Sequence, residues 1–229
     1  MRSSLLLAAC CLVTPLLGCA SSYRSGPLSG TVVDADTLQS IPGANVLVSW
    51  TLEGGLEGGN NFGQLTVQEA VTDSNGRFSI PPWGPKKVPR GKLHSTEPGI
   101  IIFKNGYEVL GRNNHGPDKE LATAPDLVRV GWNGTVFKLK EFKGDVRAYK
   151  ERVGWLDTDL WATLMGASTP CAWREAPKLV EAMAAQQRIW EKAGIEGGST
   201  FYSELTGDEA RLAKAGCGSV SQFIREHQE

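Results

Sequence analysis

The chain has 229 residues, with 24 basic against 25 acidic side chains and only three histidines. Nothing in that near-neutral balance suggests nucleic acid, whose binding needs a concentrated basic face, so no nucleic-acid partner is expected. The length and a hydrophobic share of 41% allow one large domain, or a sandwich with a helical appendage, each with a proper core.

Arg2 and the apolar run over residues 5–13 have the charged start and short hydrophobic stretch of an export signal. The run falls short of the roughly 20 residues of a membrane span, and Pro15 interrupts it. Leu16-Leu17-Gly18-Cys19 closes it, and this tetrapeptide resembles the lipobox of bacterial lipoproteins. The resemblance implies a signal peptide over residues 1–18, cleavage before Cys19, and acyl chains such as palmitate on Cys19. Two or three chains hold a protein stably, at about 0.8 kcal/mol per buried methylene. Ala20 and Ser21 stand where an aspartate would favour the inner membrane, so the outer membrane is implied, with the protein facing the periplasm. Ordinary secretion with cleavage near Ala20 is the alternative. Residues 19–27 read as a flexible tether.

From residue 28 to 143 the pattern is β throughout. Runs rich in Val, Ile, Phe and Thr at 28–34, 44–52, 64–72, 76–80, 99–104, 107–111 and 134–140 are separated by Gly, Pro, Asn and Asp. Val46, Val48 and Trp50 alternate with Leu47, Ser49 and Thr51, which predicts a strand with one dominant core face. Two connections are irregular: a glycine-rich stretch at 53–64 and a proline-rich one at 81–98. The second carries Trp83 with Lys86, Lys87, Arg90 and Lys92. Long loops on a rigid scaffold are common binding sites. Trp83, Lys86, Lys87 and Arg90 are therefore candidate contacts to a sugar, peptide or anionic polymer, unless Trp83 folds back beneath its own loop.

Three pieces of this region together resemble the carboxypeptidase regulatory-like domain, a small transthyretin-like sandwich. They are Gly30-Thr31-Val32-Val33-Asp34 with Ile41-Pro42-Gly43-Ala44-Asn45-Val46, then Thr72-Asp73-Ser74-Asn75-Gly76-Arg77-Phe78, then Gly106-Tyr107 after the strand at 100–103. The resemblance implies an antiparallel β-sandwich serving as a structural or binding module.

After Gly144 the period changes. Val146, Tyr149, Val153, Leu156, Leu160 and Leu164 recur at steps of three and four, the stripe of an amphipathic helix. A second helix is expected over 177–193. A third should start at Thr206-Gly207-Asp208-Glu209, which has capping-box spacing, and end near Gly216. Ser219 should cap a last short one. The fold class expected is α+β: a sandwich over 28–143 and a small helical extension over 144–229. Of the five cysteines, Cys10 and Cys11 leave with the signal and Cys19 is acylated. Cys171 and Cys217 remain as an even pair in an oxidising compartment, so a disulfide is expected rather than two buried thiols. Closing a loop of about 46 residues contributes roughly 4 kcal/mol in the chain-entropy model.

Catalytic motifs are wanting. His94, His115 and His227 make no metal-ligand spacing, and neither a G-x-S-x-G elbow nor an S-x-x-K pair occurs. Asp34-Ala35-Asp36-Thr37 reads as a turn after the first sandwich strand. Asp157 and Asp159, two apart on a helix, face different ways. No enzyme activity, metal or cofactor is expected. The expectation is a lipid-anchored envelope protein that binds or scaffolds a periplasmic partner. The alternatives are a module for cell-wall or lipopolysaccharide carbohydrate and a subunit of a secretion or surface-assembly machine.

Overall fold

Gly26-Pro27 and Pro81-Pro82 interrupt two long strands at the same level, and that double break shapes one face of the molecule. The computed structural model describes residues 21–54, 60–88, 91–93, 97–113, 127–128, 130–166, 168–197 and 199–227. Strands β1 (Ser21–Ser25) and β2 (Leu28–Asp34) flank the first break; β5 (Arg77–Ile80) and β6 (Trp83–Val88) flank the second. Proline has no N–H to give a ladder. The antiparallel pairing therefore stops after Leu28↔Ile80 and resumes at Ser25↔Trp83. Two short strands, β10 (Leu127–Val128) and β11 (Val136–Leu139), run parallel to β1 and β2 on the other side. The result is one bent layer, in the order β10-β1-β6 and β11-β2-β5.

The second layer is the sheet β4-β3-β8-β9, built from β3 (Asn45–Gly54), β4 (Asn60–Val71), β8 (Gly99–Phe103) and β9 (Leu110–Arg112), with β7 (Lys92–Leu93) on the far end of β3. Val46, Val48 and Trp50 of β3, with Ile100 and Ile102 of β8, pack against Leu28, Val32, Phe78, Ile80, Phe137 and Leu139 of the first layer. Burial of each such side chain contributes about 1.5–3 kcal/mol. The sandwich expected from sequence is present. Its β3 differs in one respect: Leu47, on the opposite face from Val46 and Val48, is buried too.

Leu47 is buried because a helical layer covers that face. It comprises α1 (Val146–Leu164), a 3₁₀ turn (Ala172–Glu175), α2 (Pro177–Lys192), α3 (Thr200–Gly207), α4 (Glu209–Lys214) and α5 (Val220–His227). Leu47, Val67 and Phe103 meet Leu156, Leu160, Leu179, Met183, Phe201 and Phe223. The α+β architecture is therefore three layers, with the β4-β3-β8-β9 sheet in the middle. Asp145 caps α1, its carboxylate accepting from Ala148 N at 2.8 Å. The N-terminus of α2 has no capping side chain of its own. Glu69 of β4 supplies one, accepting from Lys178 N at 2.8 Å and Leu179 N at 3.1 Å. Burial pushes the Glu69 carboxyl above its ordinary value, against the pull of those two amides. The Cys171–Cys217 disulfide joins the segment before α2 to the one before α5.

Three expectations are corrected. The supposed tether is strand β1 from Ser21 to Ser25, because its backbone finds partners in β6. The proline-rich connection contains β6 itself, paired to β1 through Ser21↔Val88, Ser22↔Lys87 and Tyr23↔Lys86. The capping box at Thr206 does not form, because Thr206 lies inside α3 and its hydroxyl donates to Tyr202 O at 2.9 Å. The cap of α3 is Ser199, accepting from Tyr202 N at 3.1 Å. Ser219 caps α5 as expected, accepting from Gln222 N at 3.1 Å.

Candidate functional site

The motif residues read from sequence build turns. Thr72 donates its hydroxyl to Ile41 O at 2.7 Å and accepts from Ala44 N at 2.8 Å, joining the Pro42-Gly43 turn to the next hairpin. Asp73 accepts from Asn75 N and Arg77 N. Gly76 has φ +70°, and a Cβ there would lie 2.4 Å from Val32 O, so only glycine fits. Asp34 accepts from Asp36 N, Thr37 N and the Thr37 hydroxyl. The hydrogen bonds from Thr37 hold its carboxyl below the ordinary value. Asp34 and Asp73 are used locally, as the turn reading expects.

The two sheets touch at one edge and then part. Glu108 N donates to Lys140 O at 2.8 Å, and Tyr107 bridges to Glu141. Tyr149 of α1 secures this junction, its hydroxyl 3.1 Å from Tyr107 O and 3.4 Å from Lys104 O. Burial pushes that phenol up to about 12. Beyond the junction β9 and β11 diverge, each the last strand of its sheet, and α1 roofs the gap. The gap is a groove of about 820 Å³, within the range of ligand sites.

Arg152, Trp155, Asp159 and Thr163 line it from α1, at steps of three and four that put them on one stripe. Trp155 is 40% exposed, and its ring lies on β9 because Gly111 has no side chain. A Cβ at Gly111 would come within 3.2 Å of the indole. Arg152 pairs with Glu108 at 2.8 Å. Burial raises the Asp159 carboxyl above its ordinary value. On the opposite wall Lys138 and Lys140 alternate with the buried Phe137 and Leu139, and the Arg112 guanidinium lies 6.0 Å from the Phe137 ring. Among the described residues no carboxylate forms an ion pair with Arg112, Lys138 or Lys140.

The residues singled out from sequence lie elsewhere. Trp83 is 8% exposed and packs edge-on against Trp50, ring centroids 5.2 Å apart. It is a core residue, not a ligand contact, because β6 pairs with β1 and turns the indole inward. Lys86 and Lys87 are exposed on β6, and Lys86 Nζ sits 5.7 Å from the Trp83 ring. Arg90, Cys19, His94 and His115 lie outside the described residues. Cys171 and Cys217 are joined as expected. Asp157 points inward and accepts from the Ser199 hydroxyl, while Asp159 faces the groove. His227 contacts Phe223 O through Nδ1 at 2.8 Å. No group of three or more His, Cys, Asp or Glu stands ready for a metal among the described residues. The groove itself escaped the sequence reading. Its one local signal is an aromatic, Trp155, on the polar side of an amphipathic helix.

No protein-family model and no curated protein matches the chain. Among solved structures it is similar to a streptococcal ancillary pilin (17% identity, TM-score 0.25), covering 55% of this chain and 31% of the pilin. It is also similar to chlorocatechol 1,2-dioxygenase from Pseudomonas putida (17%, TM-score 0.29), covering 57% and 64%. The dioxygenase domain of a Streptomyces carbohydrate-binding fusion is a third (17%, TM-score 0.30), covering 56% and 84%. The chain thus spans less than two thirds of the first two, and likenesses of this size carry no argument about its function.

Proposed function

We propose that this chain is a lipid-anchored, non-enzymatic protein of the bacterial cell envelope. It is held to the outer membrane through Cys19, facing the periplasm, and binds a periplasmic protein in the groove between α1 and the open sandwich edge. The observation that carries the binding half is the groove, which sets a half-exposed Trp155 against a wall bearing Arg112, Lys138 and Lys140, none of them in an ion pair among the described residues. Aromatic and arginine side chains around a pocket are what protein interfaces use as anchors. The lipobox resemblance at residues 16–19 supports the anchoring half. No helix among the described residues is long and apolar enough to cross a membrane. The carbohydrate reading rests on Trp83 and the basic residues near it; Trp83 is buried while Lys86 and Lys87 are exposed, so that reading loses its aromatic contact and the protein-partner reading is kept.

The test has two arms. Cells fed labelled palmitate should label the protein, and Cys19→Ala should abolish the label and release the protein from washed membranes. A photo-cross-linking residue in place of Trp155 should give one discrete protein adduct in cells. The same residue at Ser79, on the outer face of the other sheet, should give none. Equal adducts from both positions, or none from position 155, contradict the groove as the binding site.

A further inference from the structure

We infer that the groove takes an extended peptide segment of the partner as an added strand on β11, one in which acidic side chains alternate with apolar ones. The inference rests on the groove being the binding site and goes further by naming what fills it.

The backbone register comes first. Thr31 N donates to Thr135 O and Ala35 N to Leu139 O, so the odd-numbered residues of β11 spend their peptide groups on β2. By the alternation of a parallel ladder, the N–H and C=O of Val136 and Lys138 point the other way, toward β9. Lys140 shows that direction directly, because its carbonyl accepts from Glu108 N at the junction. A single bridge, Tyr107↔Glu141, is therefore made just outside β9 and β11, and the two strands do not pair with each other. Among the described residues these groups of Val136 and Lys138 have no main-chain partner beyond the strand, and they form a sheet edge facing the groove. Such an edge is a template for strand addition, in which main-chain bonds give affinity and alternate side chains give specificity.

Side chains set the pattern. Phe137 and Leu139 point into the sandwich, while Val136, Lys138 and Lys140 point out. An added strand shares this pleat. Residues facing outward would stand beside Lys138 and Lys140, with Arg112 lining the same groove, and acidic side chains complement them. Residues facing inward would lie over Leu139, Leu110 and Ile100 on the groove floor, which favours apolar ones. Trp155 then covers the added strand from the α1 side.

The full-length lipoprotein in detergent would be titrated with short fluorescent peptides, read by anisotropy. The probes are an alternating Glu-Val repeat, the same composition in blocks, an alternating Lys-Val repeat, and the Glu-Val repeat N-methylated at alternate amides. Only the alternating acidic peptide should bind well, with the others at least about tenfold weaker. Lys138→Glu with Lys140→Glu should weaken it by about tenfold or more and admit the Lys-Val repeat. Lys138→Pro should block binding while sparing the β2 ladder, since that N–H faces the gap. Equal binding of the block, basic or N-methylated peptides overturns the inference, as does failure of the alternating acidic peptide to bind. If that failure comes with a cross-link still forming from position 155, strand addition falls and the groove stands. If the cross-link is lost as well, both fall.

Discussion

Thr72 holds two turns together with one hydroxyl, donating to Ile41 O and accepting from Ala44 N. The pairing explains why the Pro42-Gly43-Ala44 and Thr72-Asp73 segments work as a unit, although 28 residues separate Ala44 from Thr72. Thr72→Val keeps the shape and removes both bonds, leaving a buried N–H and C=O unmet. The expected loss is about 1–3 kcal/mol, read as a lower urea midpoint; an unmoved midpoint would show that the hydroxyl is dispensable. Tyr149 makes a prediction in pH. Its phenol titrates near 12 in the fold against an ordinary value of 10.0, so the fold favours the neutral hydroxyl. The contribution is fully present below pH 10 and is lost as pH rises through 12. Stability measured across that window should fall more steeply in the native protein than in Tyr149→Phe. Parallel curves would mean that the junction does not feel this proton.

At the scale of elements, Glu69 makes α2 depend on β4. The helix starts at Pro177 without a cap of its own, and Glu69→Ala leaves two amides at its N-terminus unmet. A loss of about 1–2 kcal/mol is expected, with Glu69→Gln recovering part of it; equal stability of Glu69→Ala and the native protein would remove the cap from the account. Such cross-chain support marks the limit of what sequence could say. α1 and α2 were legible because their apolar residues recur at helical spacing over three or more turns, a signal no local rival can match. α3 was missed because only Phe201 and Leu205 mark its buried face, too few for a period, while Thr206 offered a false start. β1 and β6 were missed because each validates the other. Neither Ser-Ser-Tyr-Arg-Ser nor a run containing Pro85 looks like a strand until the partner lies beside it. That pairing also buried Trp83. The groove was illegible for the same reason, since its walls come from β9, β11 and α1, which chain order does not bring together.

For the whole molecule, the middle sheet is covered on both faces, by the bent layer and by the helices. The helical layer is a set of short elements, four of the five α-helices among the described residues having 16 residues or fewer, and the disulfide closes a 46-residue span within it. Replacing both cysteines by alanine should cost about 2–4 kcal/mol, seen as an earlier denaturant transition; a transition at the native midpoint would contradict a stabilising role. The sandwich edge should keep its junction in that variant, because the Glu108–Lys140 bond and Tyr149 hold it without the cysteines.

We propose that this protein meets its partner at the open edge between β9 and β11. Amide hydrogen exchange tests it most directly, comparing the protein in isolated cell envelopes with the detergent-purified chain. Peptides spanning 108–112 and 136–140 should exchange at least about tenfold more slowly in envelopes, while those spanning the outer strand β5 should exchange equally in both. Identical rates at the groove in the two states would mean that no partner occupies it.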